Sequence, residues 1–166
     1  MQRNKILCYG IGNISRADDG LGPALMQWLE AQATSIAGLE FTFESAFQLQ
    51  PENIFEFNHH DAILFLDASV AFKEGARFGK IEPQAEKNAF VSHALPPPQL
   101  LAMFADILQK KPPDAYLLTM GCEFTELSDA LSSQGDINLE AGKQLLKQVL
   151  DTPLNQWSKI QSAILI

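Results

Sequence analysis

The chain has 166 residues, 46% of them hydrophobic and 19% charged, the composition of a globular protein long enough to bury a sizeable core. Its formal net charge of −8, with Lys110-Lys111 as the densest basic pair, argues against a surface for nucleic-acid phosphates or an anionic membrane. No stretch approaches a membrane span, since the best one, 62–72, is broken by Asp67, and the apolar run behind the charged N-terminus is too short for a signal peptide. Two cysteines, Cys8 and Cys122, are expected to be reduced, and a cytoplasmic location is expected with them.

In chain order, Lys5 to Tyr9 reads as the first strand, followed by a glycine-rich loop, 10–22, that carries the adjacent carboxylates Asp18 and Asp19. Asp19 to about Ala33 reads as the first helix. Leu39 to Ser45 alternates at period two, which predicts an outer strand with one polar face. Gln50 to Phe57, opening on Pro51 and Glu52, predicts a short helix. Asp61 to Asp67 holds the continuous apolar run Ala62-Ile63-Leu64-Phe65-Leu66 and predicts a central strand covered on both faces.

Phe78 to Ile81 is read as an edge strand, and Pro97 to Gln109 as a helix entered through three prolines. Lys110 to Asp114 is a turn and Ala115 to Met120 a further apolar strand. Leu139 to Leu150 is a helix with Leu145, Leu146 and Val149 inward, and 155–166 is helical in pattern. Strands alternating with helices at this spacing predict one α/β domain, 1–166, with a core over about 5–150 and a C-terminal extension over about 153–166. Its architecture is a three-layer α/β/α sandwich around a mostly parallel sheet of about five strands. In such folds the site lies at the carboxyl ends of the strands.

That rule sorts the candidate residues. Asp67 follows five apolar residues, so its carboxylate sits at the end of a buried strand, where an ionised group is costly unless it is paired or bound. One member of the Asp18-Asp19 pair can cap the first helix or complement its dipole, a role that suits Asp18, which leaves Asp19 to project into the crevice. His93, just before the proline-led helix, falls on the same end of the sheet, whereas His59 and His60 precede the central strand at its amino end and read as solvated loop. Two carboxylates and one imidazole on one crevice make a three-ligand set for a first-row divalent metal.

Competing chemistries lack residues. A dinucleotide fingerprint needs a glycine where Ser15 stands, no phosphate-loop lysine is present, and no serine sits in a nucleophile elbow. Cys8 lies inside a strand and Cys122 has no evident base, so both are expected to be packing residues.

The blocks Gly10-Ile11-Gly12-Asn13 with Asp18-Asp19-Gly20-Leu21-Gly22, then Leu66-Asp67-Ala68, Ser92-His93 with Leu100-Leu101, and Gly121-x-Glu123 followed by Leu131-Ser132 together resemble the hydrogenase maturation endopeptidases. The resemblance spans roughly residues 5 to 150. It implies removal of the C-terminal extension of a nickel-iron hydrogenase large-subunit precursor after nickel insertion. It places the metal-contacting and catalytic roles on Asp19, Asp67 and His93, with Asp19 standing where many members have glutamate. The implied nickel is supplied by the precursor, and other divalent metals could take its place in a crystal. The expected partner is that precursor, with no nucleic acid or membrane, and a monomer is favoured. Phe47-Gln48-Leu49-Gln50-Pro51-Glu52 departs from the common pattern after the second strand, and Phe124 replaces a frequent proline. The rival reading is a signalling receiver module phosphorylated on Asp67.

Overall fold

The computed structural model describes residues 2–85 and 95–164. Its centre is a six-stranded sheet built from β1 (Asn4–Ile11), β2 (Leu39–Ala46), β3 (Ala62–Ser69), β4 (Ala76–Ile81), β5 (Asp114–Gly121) and β6 (Ser162–Ile164), in the order β2-β1-β3-β5-β4-β6. β1, β2, β3 and β5 run parallel, and β4 is antiparallel to both β5 and β6. The helices are α1 (Leu21–Glu30), α2 (Pro97–Leu108) and α3 (Ser133–Leu150).

The alternation of side chains along each strand builds two cores. Ile6, Cys8, Leu64, Leu66, Leu118 and Met120 face α1 and α3, against Leu21, Leu25, Leu145 and Val149. Leu7, Tyr9, Ile63 and Phe65 face the opposite layer, made of α2 and the 3-10 helix Pro51–Phe57. Every residue from Ala62 to Leu66 is buried because both faces of β3 are covered, which is what its uninterrupted apolar run requires. This is the expected three-layer α/β/α sandwich with a mostly parallel sheet. Among the described residues, no helix is long and apolar enough to cross a membrane.

The differences from the sequence reading lie at element ends. The first helix is preceded by a 3-10 turn, Ala17–Gly20, and stops at Glu30, after which the Ser35 hydroxyl binds the Gln32 carbonyl and a second 3-10 turn forms. α3 starts six residues before Leu139. Ser132 caps it by accepting the Gly135 N–H at 2.9 Å, and this start is disguised by the weak helix formers Gly135, Asp136 and Asn138. The stretch from 155 onwards is not one helix. Pro153 leads into the 3-10 helix Leu154–Lys159, and β6 then pairs with the outer side of β4, so β4 is not the edge strand and the sheet gains a sixth member. Trp157 anchors this segment, its ring edge-on to Phe78 and Tyr116 and its Nε1–H on the Thr152 carbonyl at 2.9 Å.

Candidate active site

β1 and β3 deliver the two carboxylates. Beyond Ile11 the chain turns sharply at Gly12, whose φ of +135° and position against the Asp19 carbonyl (1.8 Å from where a Cβ would stand) admit only glycine. The loop then folds back on itself: Arg16 N–H reaches the Asn13 carbonyl, Asp19 N–H reaches the Arg16 carbonyl, and Asn13 N–H donates to Asp19 Oδ2 at 2.7 Å. α1 follows at close range, since a Cβ on Gly22 would lie 2.3 Å from the Ile11 carbonyl and 2.4 Å from that of Leu66. That approach sets the start of α1 against the ends of β1 and β3. Asp19 and Asp67 thereby line one cleft of about 430 Å³, together with Gly12, Gln48, Leu95 and Pro96.

Asp67 is partly buried and, among the described residues, its Oδ1 accepts the Ala68 N–H at 2.8 Å. Burial pushes its carboxyl up to about 7, the charge of Asp19 adds to the rise, and the Ala68 N–H opposes it. A carboxyl poised between its two forms near neutrality, in a cleft beside a second carboxylate, is a candidate proton-transfer and metal-binding group. The Cys122 thiol is pushed up to about 11, by burial first and then by Asp18, Asp19 and Asp67, so it is protonated. Cys8 is raised further by burial inside β1. Neither thiol is an activated nucleophile.

Asp18 belongs to the framework, in a different way from the helix-capping role expected of it. It is 1% exposed and makes no capping bond to the first helix. Instead Oδ1 accepts the Ser132 N–H at 2.8 Å and Oδ2 the Ser132 hydroxyl at 2.7 Å, which ties the loop after β1 to the start of α3. His93 lies outside the described residues. His59 and His60 are at the amino end of the sheet, in a separate cleft with Arg3, Lys5 and Glu40, and His60 Nε2 is 3.3 Å from Thr42 Oγ1. Among the described residues, no three of His, Cys, Asp and Glu gather closely enough to hold a metal by themselves.

Sequence reasoning passed over a second cleft of about 660 Å³ that shares Asp19, Phe47 and Gln48 with the first and contains Asn13, Arg16 and Gln50. Its residues come from the segments after β1, β2 and β5, which meet only in the folded chain. Phe47 lines both clefts, and the loops at the same end of the sheet carry further exposed apolar side chains: Ile14 after β1, Val70 after β3, and Phe124 and Leu127 after β5. They are five of the eight large exposed hydrophobic residues described, so the carboxyl end of the sheet is the apolar end of the surface. The topology also departs from a receiver module, whose five strands run parallel in the order 2-1-3-4-5, because here β5 sits beside β3 and β4 runs antiparallel.

No protein-family model matches the chain, and no curated protein matches it significantly. Solved structures do. The hydrogenase maturating endopeptidase HybD from E. coli superimposes with a TM-score of 0.65 at 18% identity, covering 97% of each chain. The [NiFe] hydrogenase maturation protease HycI from Thermococcus kodakarensis KOD1 gives 0.63 at 18% identity, over 90% of this chain and 92% of that one. The hydrogenase 2 maturation peptidase from Thaumarchaeota archaeon SCGC_AB-539-E09 gives 0.62 at 17%, over 89% and 98%. Over most of its length, this chain has the fold of the hydrogenase maturation endopeptidases.

Proposed function

We propose that the protein is an endopeptidase of hydrogenase maturation, which removes the C-terminal extension of a nickel-loaded large-subunit precursor. The observation that carries this reading is the convergence of Asp19 and Asp67 on one cleft at the carboxyl ends of β1 and β3, in the fold of the maturation endopeptidases. The exposed apolar side chains on the loops at this end of the sheet suit a protein substrate better than a small metabolite.

In this reading the nickel arrives with the substrate, already held by the precursor. Asp19 and Asp67 contact it as oxygen ligands, and His93 supplies a neutral imidazole from the segment before Leu95, a residue that lines the cleft. Contact with the metal places the scissile bond, and the metal polarises its carbonyl or a water. Asp67, whose carboxyl burial raises to about 7 in the metal-free cleft, would give up its proton on contact with the metal and bind it as a carboxylate. A protonated Cys122 leaves the protein without a thiolate for covalent attack, in keeping with a carboxylate mechanism.

The test is trimming of such a precursor, followed as loss of mass at its C-terminus. The wild type is expected to trim it. Asp19→Ala, Asp67→Ala and His93→Ala are each expected to lose at least about a hundredfold in rate while keeping the wild-type circular dichroism. Full trimming by Asp67→Ala, or by His93→Ala, would remove that residue from the site.

A further inference from the structure

The second cleft has a lopsided polar lining. Asn13 Oδ1 accepts the Ser15 N–H at 2.9 Å, and the Gln50 side chain accepts the Asn53 N–H, so both amide oxygens turn onto the protein's own backbone and, among the described residues, their NH2 groups remain as donors. Arg16 Nε donates to the Thr125 carbonyl at 3.1 Å, which anchors one edge of the guanidinium and leaves its terminal nitrogens as further donors. Arg16 is exposed, and it is the one cationic side chain lining either cleft among the described residues of a chain whose net charge is −8. Asp19 stands at the junction of the two clefts, with Oδ2 engaged by Asn13 N–H. A donor-rich wall of this kind is matched by a ligand rich in acceptors and carrying negative charge.

We propose that this cleft is a substrate subsite. It takes the stretch of precursor chain next to the scissile bond in extended form, with peptide carbonyls on the NH2 groups of Asn13 and Gln50 and a carboxylate paired with Arg16. The proposal rests on the endopeptidase reading above and adds to it the chemical character of the peptide that is read. Continuity supports the placement, because Asp19, Phe47 and Gln48 belong to both clefts, so a chain crossing Asp19 runs from one into the other. The paired carboxylate is either an acidic side chain near the cut or the free C-terminus of the extension.

The experiment compares wild type, Arg16→Gln and Arg16→Lys on nickel-loaded precursor, with KM and kcat determined separately. Arg16→Gln is expected to raise KM about tenfold, and Arg16→Lys, which keeps the charge, to stay within about threefold of wild type. Two altered precursors identify the carboxylate, one with the acidic residues around the cut changed to amides and one whose extension ends in a carboxamide. Whichever of them erases the difference between wild type and Arg16→Gln carries the group that Arg16 reads. Trimming by the wild type with an unchanged KM in Arg16→Gln would overturn the subsite and leave the endopeptidase reading standing. A raised KM that persists on both altered precursors would overturn the carboxylate pairing, and no trimming by the wild type would remove the endopeptidase reading together with the subsite.

Discussion

Two neighbouring aspartates in one loop end up with opposite occupations, and the difference lies in what their oxygens meet. Asp18 is closed off by Ser132, 114 residues further along the chain, whereas Asp19 is half-buried and lines the cleft. The sequence could say that both would not cap one helix; it could not say which serine would take the other, because nothing local connects positions 18 and 132. Asp18→Asn is expected to lower stability by about 2 kcal/mol, as it leaves a Ser132 donor poorly matched, a loss measurable in a urea titration. Asp67 behaves in the opposite sense. Its folded-state value of about 7 lies above the ordinary 3.8, so the folded protein binds the proton more tightly than the unfolded chain. Stability contributed by this group is therefore full at low pH, falls as pH rises from about 4 to about 7, and is level above that. Asp67→Asn removes the penalty and is expected to be more stable than wild type at pH 8, by up to about 4 kcal/mol, with little difference at pH 4. Equal stability of the two proteins at pH 8 would contradict the burial argument. Because a metal ligand must shed its proton, binding of added Ni2+ is also expected to weaken by about tenfold per unit below pH 7, as isothermal titration at several pH values would register.

At the scale of elements, β1 to β5 were legible and the ends of helices were not. The apolar run of β3 and the two-residue period of β2 report burial directly, since each residue's environment is set by the pleat. α3 was cut short because its first two turns serve tertiary bonds rather than helical propensity. Asn138, 1% exposed, donates to the carbonyls of Lys73 and Gly121 at 2.8 and 2.7 Å and accepts the Gly75 N–H at 2.8 Å. One side chain thus satisfies three backbone groups and holds the turn between β3 and β4 against the end of β5. Asn138→Ala should cost about 3 kcal/mol and speed hydrogen exchange at Gly75 first, since the loss falls on groups that have no water to turn to. Uniform protection at Gly75 in the variant would count against the clamp.

For the whole molecule, the alternation of strands and helices was enough to give a three-layer sandwich and to put Asp19 and Asp67 at the same end of it, because parallel strands send their carboxyl ends one way. The second cleft and β6 were not legible. Arg16, Asn13 and Gln50 meet only once two separate loops are in place, and the C-terminal segment reads as helix because nothing in its own composition announces the open side of β4. That segment is a structural cover on one end of the sheet. Trp157, fully buried against Phe78 and Tyr116, is its fastening point, and Trp157→Ala is expected to cost about 4 kcal/mol and lower Tm by about 10 °C, as differential scanning calorimetry would show.

The proposed function is a cut that waits for a metal brought by the substrate. The direct measurement is the intact mass of a hydrogenase large-subunit precursor after incubation with this protein, run in parallel on nickel-loaded and nickel-free precursor. A C-terminal fragment is expected to be lost from the loaded form alone, and Asp67→Ala to abolish the loss. Equal trimming of both forms, or trimming of neither, would contradict the proposed function.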